Sequence, residues 1–439
     1  MKQLSEVPGD HGRPGSRAGA APRVPTVRAV AAGSVGNLVE WYEFGVYGSL
    51  ATVLAERFFT PAGGSATEGL VRTYASFALA FFFRPLGAAL FGRLGDRLGR
   101  RPVLIAVITL MTAATTLIGV LPTYATAGAL APWLLTFLRI VQGLSAGGEF
   151  GGAVAVLTEH APPGRRGLYG AWQSFTVALG LLAGTSVAAG TATVLTGAQL
   201  AGWGWRLPFL LSLPLGLLAL WLRTGLEETP EFRERGRAPA GAGGEARAVV
   251  RTVLLGAGQI MGWAAAGYTF LVVLPSYLQA ALHADVRQAL VATVPAGIGF
   301  AAAILPAGLL SDRIGRRPVM LAGAVLVVVM AVPVFDLLQD PGASAAARGA
   351  AVAAAGAVVG LMAGPGPALL AEQFPVRVRW TGLGLAHSLS NAVFSGCAGL
   401  IITEAVRRTG NPDVPAYYAA AACALSAPAL LWRPSGKAG

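Results

Sequence analysis

Long apolar stretches recur along the whole chain and alternate with short polar segments. The longest runs without Asp, Glu, Lys or Arg cover residues 102–138, 167–205, 252–284, 288–311, 349–371, 380–403 and 414–432. A helix needs roughly 20 residues to cross the hydrocarbon core of a membrane, so the two longest runs each hold more than one crossing. The pattern predicts about twelve spanning helices, centred near residues 42, 82, 112, 146, 180, 214, 264, 299, 327, 360, 391 and 424.

A charged motif occurs twice between these apolar stretches. Residues 92–103 read GRLGDRLGRRPV and residues 308–319 read GLLSDRIGRRPV, so nine of twelve positions match at an offset of 216 residues. Three further residues repeat almost in step, at an offset of 213: Glu159, Pro162 and Arg166, then Glu372, Pro375 and Arg379. Two motifs that repeat together indicate two related halves of six helices each, a duplication typical of secondary transporters.

The repeat divides the chain into two halves, and the one long charged segment between them predicts a linker. We therefore expect an all-α membrane protein whose twelve transmembrane helices form two pseudo-symmetric six-helix bundles. The expected parts are a disordered cytoplasmic N-terminal tail, an N-terminal bundle, a cytoplasmic linker, a C-terminal bundle and a short C-terminal tail, at residues 1–27, 28–223, 224–249, 250–433 and 434–439.

Composition supports a lipid environment. Hydrophobic residues make up 54% of the chain and charged residues only 12%, too few to cover a water-exposed surface. Of the 33 Lys and Arg residues, 24 lie in the tails and in the loops on one side of the predicted bundle, and 7 lie on the other side. Because Lys and Arg are enriched in cytoplasmic loops, we expect an inner (plasma) membrane protein with both termini in the cytoplasm. The expected partners are lipid, protons and a small solute, with no nucleic acid, and we expect a monomer.

The two charged repeats predict a gate on the cytoplasmic side. An ionised Asp only accepts hydrogen bonds, the neighbouring Arg residues donate in a planar fork, and the Gly residues permit close helix approach. Such a cluster can bind helix ends of the opposite half and separate when the halves rock. The alternative is a solvated loop that only obeys the charge rule for cytoplasmic segments. The expected gate residues are Gly92, Asp96, Arg97, Gly99, Arg100, Arg101, Glu159, Arg166, Asp312, Arg313, Arg316, Arg317, Glu372 and Arg379.

Charged side chains inside the predicted spans are a second signal, because charge is expensive in hydrocarbon and by default faces a cavity or a partner. Span one carries four polar residues along one helical face: Asn37, Glu40, Glu43 and Tyr47. Spans two and four contribute Arg84, Arg139, Gln142 and Glu149. A carboxylate that is alternately exposed and paired with a guanidinium can load and release a proton. The alternative is that these ion pairs are permanent and only hold the helices together.

Four longer strings resemble one known group of transporters. They are GNLVEWYEFGVYG at 36–48, FFFRPLG at 81–87, RIVQGLSAGGEFGG at 139–152 and EQFPVRVRWTGLG at 372–384. With the repeated GxLxDRxGRR pattern, they are similar to the metabolite:proton symporter branch of the major facilitator superfamily, which includes α-ketoglutarate, citrate, shikimate and proline or betaine permeases. The resemblance covers about residues 28–433. It implies that two guanidinium groups shape the substrate pocket and that three carboxylates couple protons: Arg84 and Arg139, and Glu40, Glu43 and Glu149.

Spans seven and eleven carry the candidates of the second half. In span seven four residues recur near helical turns, either to line a solute pathway or as packing anchors: Gln259, Trp263, Tyr268 and Tyr277. In span eleven, His387 replaces the branch's usual aromatic residue, and SGCAG replaces the usual GGxxP, which leaves solute choice open. His387 is either a hydrogen-bonded helix contact or a ligand or proton site. The predicted substrate contacts are Arg84, Arg139, Gln142, Tyr47, Tyr268 and Asn391.

Enzyme signatures such as a Walker loop, HExxH or GxSxG are missing from the sequence, so we predict no enzymatic activity, no cofactor and no metal. Without an ATP site the energy must come from a gradient, and the intramembrane acids favour protons over sodium. We predict a secondary transporter that imports a small organic acid or zwitterionic metabolite with protons by alternating access. One alternative is a proton-coupled antiporter that exports a small amphiphilic compound, and another is a transporter-derived sensor with little flux.

Overall fold

The computed structural model describes residues 27–61, 64–98, 100–147, 149–159, 161–224, 244–375 and 378–432. Within these ranges the chain is almost entirely helical and contains no β-strand. Most of the predicted N-terminal tail and linker, and the predicted C-terminal tail, lie outside the described residues.

The described chain forms twelve long helical segments, α1–α12, several of which are interrupted. They are α1 Val27–Ser49, α2 Ala66–Leu98, α3 Arg100–Val120, α4 Leu130–Ala146 with Glu149–Glu159, α5 Arg166–Val194, α6 Arg206–Leu210 with Ser212–Thr224, α7 Gly244–Tyr268 with Leu274–Ala280, α8 Val286–Ile314, α9 Arg316–Gln339, α10 Ala345–Ala363 with Gly366–Gln373, α11 Arg379–Ser390 with Ala398–Thr409, and α12 Val414–Leu431. Wider π-helical turns connect the two parts of α7 and of α11, at Thr269–Val273 and Asn391–Gly396.

Ten helices of the described chain are long and apolar enough to cross a membrane. An eleventh span results if the bent pair Gly197–Gly204 and Arg206–Leu222 crosses as one. Helix α1 is not among them, because Asn37, Glu40 and Glu43 lower its hydropathy, yet it packs along α5 and α6 inside the same bundle. An all-α membrane fold is therefore confirmed, and the helices are in keeping with the predicted twelve.

The helices pack as two halves, α1–α6 and α7–α12. In the first half α1 packs on α5 and α2 on α4, and in the second half α8 packs on α10 and α7 on α12. The halves meet mainly where α5 packs on α8 and α2 on α11, and α4 also contacts α11. Residues that face this interface from both halves surround the candidate site.

The internal repeat is visible in the backbone packing. A Cβ atom on Gly143 of α4 would lie 2.0 Å from the carbonyl oxygen of Ala80 on α2, and a Cβ atom on Gly356 of α10 would lie 1.9 Å from that of Ala296 on α8. These positions differ by 213 and 216 residues, the offsets of the two sequence repeats. Small residues let membrane helices approach closely, so both halves use the same glycine contact.

The turn of the second charged repeat also explains one of its glycines. Helix α8 ends and α9 begins at Gly315, whose φ is +97°. This conformation strains residues that carry a Cβ atom. The tight turn expected between these helices is therefore present, and it brings Asp312 and Arg316 together.

Candidate functional site

A cavity of about 40 Å³ lies between the halves. A water molecule needs about 10–15 Å³, so the cavity has room for roughly three. Its walls come from α1, α5, α7, α8 and α11, and thus from both halves. The lining includes Trp41, Gln173, Val177, Leu181, Trp263, Gly267, Tyr268, Leu271, Phe300, His387 and Asn391.

Several polar atoms of this central cavity are unsatisfied. The Gln173 side-chain oxygen and the Tyr268 hydroxyl are buried and have no hydrogen-bond partner among the described residues. The Asn391 amide instead donates to the His387 carbonyl oxygen at 2.9 Å and accepts from the Ser395 hydroxyl at 2.8 Å. A buried polar group without a partner costs about 1–3 kcal/mol, so the cavity favours a ligand that supplies complementary groups.

The His387 imidazole forms part of the cavity wall and also joins the two halves. Its ring stacks on Phe150 of α4 with a centroid separation of 3.5 Å and an interplanar angle of 9°. The centroid of the Trp263 ring lies 6.2 Å from that of His387. Both open interpretations of His387 thus fit its position, because the residue is a helix contact and also faces the cavity.

A buried ion pair lies beside the cavity in the first half. The Arg84 guanidinium donates to the Glu40 carboxylate at 3.0 Å, and both side chains are at most 7% exposed. The guanidinium also lies over the rings of Phe81, Phe44 and Trp41, at 4.5, 4.7 and 5.4 Å from their centroids. Desolvated cation–π contacts each contribute about 2 kcal/mol, so these rings help to keep the charge inside the bundle.

A second buried network centres on Arg139 of α4. Arg139 donates to the Gln142 side chain at 2.6 Å, and the Gln142 amide donates to Thr115 at 2.6 Å and to Glu43 at 3.4 Å. One Glu43 carboxylate oxygen and two Arg139 nitrogens lack partners among the described residues. The Tyr47 ring lies 4.3 Å from this guanidinium, and its hydroxyl bonds Ser76 at 2.7 Å. The network therefore retains unused hydrogen-bonding capacity.

Aromatic rings separate these charges from the central cavity. Trp41 lines the cavity and also contacts Arg84, while the Phe81 ring contacts both the Arg84 guanidinium and the Tyr268 ring, at 4.5 and 5.5 Å. Of the predicted substrate contacts, Tyr268 and Asn391 line the cavity, whereas Arg84, Arg139, Gln142 and Tyr47 lie behind its wall in this conformation. At the repeat offsets of 216 and 213 residues, Arg84 aligns with Phe300 and Arg139 aligns with Val352. The two guanidinium groups therefore have no counterpart at these positions of the second half.

Part of the predicted gate closes the interface at the end that holds the charged repeats. The Asp312 carboxylate accepts from the backbone N–H groups of Gly167 and Leu168, at 2.8 and 3.0 Å, at the start of α5. Arg316 donates to Asp312 at 2.7 Å and to Glu372 at 3.2 Å. The halves are thus bound through a carboxylate at a helix N-terminus, an arrangement favoured by the helix dipole.

The other predicted gate residues differ in their positions. An ion pair across the halves joins Arg379 and Glu159 at 2.9 Å. Arg317 donates to the Trp432 carbonyl oxygen at 2.8 Å, and Arg166 and Arg313 are exposed. Several predicted side chains of the first repeat lie outside the described residues: Gly92, Asp96, Arg97, Gly99, Arg100 and Arg101.

The interface is also closed at the opposite end. The Tyr74 hydroxyl of α2 and the Ser276 hydroxyl of α7 are 2.6 Å apart, and Thr52 donates to Gln279 at 2.6 Å. Contacts between the halves therefore lie on both sides of the central cavity.

The sequence patterns do not mark three residues of the site. Trp41 and Phe150 lie inside the quoted motifs without standing out from them, and Gln173 lies in none of them. For Gln173 a signal exists, because an amide side chain within the uncharged run 167–205 needs a hydrogen-bond partner when it lies inside a membrane. The stacking partner of His387 is set by tertiary packing and leaves no local signal.

Comparison with known proteins agrees with this architecture. The family model described as sugar (and other) transporter matches residues 29–242 and 242–431. The chain is 35% identical to the proline/betaine transporter of Escherichia coli (strain K12) over 406 residues, covering 89% of this chain and 80% of that protein. It is 35% identical to the ectoine/proline transporter of Corynebacterium glutamicum over 418 residues, covering 91% and 82%.

Two further comparisons extend this result. The α-ketoglutarate permease of Escherichia coli (strain K12) is 36% identical over 377 residues, covering 84% of this chain and 85% of that protein. A crystal structure of a D-xylose–proton symporter superposes with a TM-score of 0.72 at 20% identity, covering 91% of this chain and 96% of that one. At this identity the structural likeness establishes the fold.

Proposed function

The chain belongs to the sugar (and other) transporter family of the major facilitator superfamily, and from this membership we propose that it imports a small zwitterionic metabolite or organic acid together with protons by alternating access. The family is one of membrane transporters, so the protein is a multi-pass membrane transporter and not an enzyme. The proposal concerns the solute, the coupling ion and the direction.

The observation that carries the proposal is the central cavity, which is lined by both halves and by residues with unpaired polar atoms. An alternating-access transporter needs a site that each face can reach in turn. The Gln173 oxygen and the Tyr268 hydroxyl are suited to a polar solute. The cavity of about 40 Å³ holds only a few water molecules, so a solute enters when the halves move apart around it.

The chemistry of the wall favours a net-neutral zwitterion over a dianion. Trp41, Trp263 and Tyr268 offer aromatic faces to an ammonium group, which ring quadrupoles attract. A carboxylate would meet the Gln173 and Asn391 amides, with the Arg84 guanidinium one ring away. The lining residues carry no acid or Arg side chain, and an uncompensated net charge is costly in such a cavity. The names of the proline/betaine and ectoine/proline relatives support the same choice.

Two carboxylates of the first half are suited to proton coupling. Glu40 is paired with Arg84, and Glu43 is connected to Arg139 through Gln142. A carboxylate that faces water in one state and a guanidinium in another takes up a proton in the first state and releases it in the second. We assign the end with the charged repeats to the cytoplasm, because 24 of 33 basic residues lie in the tails and loops on that side.

The experiment is uptake by the purified protein in proteoliposomes. Labelled proline, glycine betaine, ectoine and α-ketoglutarate would be offered with an inward proton gradient, and an external pH dye would follow proton movement. We expect accumulation of zwitterions, external alkalinisation on solute addition, and loss of both with a protonophore. Accumulation without proton movement, or acidification outside, would overturn the proposal. Transport of the dicarboxylate alone would overturn the choice of a zwitterion over a dianion.

A pair of glutamine variants locates the solute site. Gln173→Ala removes an amide from the cavity wall, whereas Gln288→Ala makes the same change on the exposed start of α8. We expect the first variant to raise the half-saturating solute concentration about tenfold, since a lost hydrogen bond costs about 1 kcal/mol or more, and the second to behave as the wild type. Equal behaviour of the two variants would contradict the assigned cavity.

A further inference from the structure

A second cavity lies inside the first half, between α1, α3 and α4, and its volume is about 10 Å³. Glu40 of α1 and Glu149 of α4 both line it. It is located where α4 is interrupted, between the helical parts that end at Ala146 and begin at Glu149. Both residues therefore border one small cavity, whose lining differs from that of the central cavity.

The wall of this cavity carries a hydroxyl group without a hydrogen-bond partner. The Thr112 side chain is 4% exposed, and its oxygen has no partner in the described part of the chain. The Ser145 hydroxyl donates to the Val141 carbonyl oxygen at 2.9 Å, which leaves its own oxygen able to accept. A buried water needs about 10–15 Å³ and two to four polar partners, and this cavity meets both conditions.

We propose that this cavity binds one water molecule that passes protons between Glu40 and Glu149. The inference rests on the proposed proton-coupled transport. The relay gives the solute and the proton different routes. The solute moves through the central cavity between the halves, while the proton leaves Glu40 through the interior of the first half. Trp41, which lines the central cavity and contacts the Arg84 guanidinium, contributes to this separation.

The transfer is a simple relay. The Glu40 carboxyl group gives its proton to the water, and the water gives one of its protons to the Glu149 carboxylate. The water is restored and no other bond changes. The Glu40 carboxylate that results is the form that accepts from Arg84 at 3.0 Å. Release of the proton and closure of the ion pair are thus one event.

Two partial reactions test the relay. Solute counterflow at equal pH exchanges labelled for unlabelled solute without net proton movement, whereas accumulation under a proton gradient requires proton release. Thr112→Val removes the hydroxyl at nearly constant shape, and Glu149→Gln removes the acceptor carboxylate. We expect both variants to exchange solute within twofold of the wild type and to accumulate it at least tenfold more slowly.

The matched control is Thr109→Val, on the same helix but exposed, with its hydroxyl bonded to the Ile105 carbonyl oxygen. It is expected to match the wild type in both assays. Full proton-driven accumulation by Thr112→Val or Glu149→Gln would overturn the relay, as would equal loss of both reactions. If the wild type itself shows no counterflow with any solute of the panel, the proposed transport fails first, and the relay fails with it.

Discussion

Asp312 is predicted to hold the two halves together at the end that carries the charged repeats. Its carboxylate accepts two backbone N–H groups at the start of α5 in the other half, and its side chain is 7% exposed. In Asp312→Asn one of the two bonds is lost, because the amide nitrogen faces a backbone donor. A hydrogen bond to a charged group contributes about 1.5–3 kcal/mol, and the charge at a helix N-terminus contributes about 0.3–1 kcal/mol.

These contributions give a destabilisation of the closed end of about 3 kcal/mol. Since about 1.4 kcal/mol corresponds to a tenfold change in an equilibrium constant, the ratio of closed to open molecules should fall roughly a hundredfold. The measurement is the distance distribution between spin labels at Pro163 and Ile314, one in each half. Both native cysteines, Cys397 and Cys423, would be replaced by alanine in this background. A population at longer distance should appear in the variant.

The matched control is Asp285→Asn. Asp285 also accepts a backbone N–H at a helix start, from Arg287 at 3.0 Å, but it lies within one half and at an exposed position. We expect its distance distribution to equal that of the wild type. If a folded Asp312→Asn protein gave the same distribution as Asp285→Asn, the carboxylate would not hold the interface closed, and the reasoning would be refuted.

Three further predictions concern the cavity, the ion pair and the repeat. Tyr268→Phe removes an unpaired hydroxyl from the cavity wall, so the half-saturating solute concentration should rise by roughly tenfold if that hydroxyl bonds the solute; an unchanged value in concentration-dependent uptake would contradict this role. Glu40→Gln leaves a buried guanidinium without its carboxylate and should cost about 3–5 kcal/mol of stability, which thermal unfolding in detergent would detect as a lower midpoint. Gly143→Ala and Gly356→Ala should each lower the free energy of unfolding by about 1–3 kcal/mol, because the added methyl group overpacks a helix contact. Gly190→Ala should not, because open space surrounds its Cβ position. Equal thermal unfolding midpoints for all three variants would disprove the shared contact.

The sequence predicts the architecture well because its signals are local. Apolar runs fix the helices, and the repeat offsets correspond to the paired contacts of Gly143 with Ala80 and of Gly356 with Ala296. The close association of Asp312 with the other half follows from its motif in the same way. These features depend on spacing along the chain, which a single sequence records directly.

The arrangement of the site is less accessible from the sequence. The cost of charge in hydrocarbon correctly indicates that Arg84 needs a partner, and Glu40 is that partner. The same cost gives no indication that the rings of Trp41, Phe44 and Phe81 lie around the guanidinium and help to separate it from the cavity. Helical periodicity gives the face on which a residue lies, whereas the neighbouring helix and its rotamers are set by packing.

The alignment of Arg84 with Phe300, and of Arg139 with Val352, has an evolutionary consequence. The two halves of a duplication begin as identical copies, so they have since diverged at these positions, where the first half carries guanidinium groups and the second carries apolar side chains. Sequence changes at Phe300 can therefore alter the cavity wall without changing the buried pair of Arg84 and Glu40 in the other half.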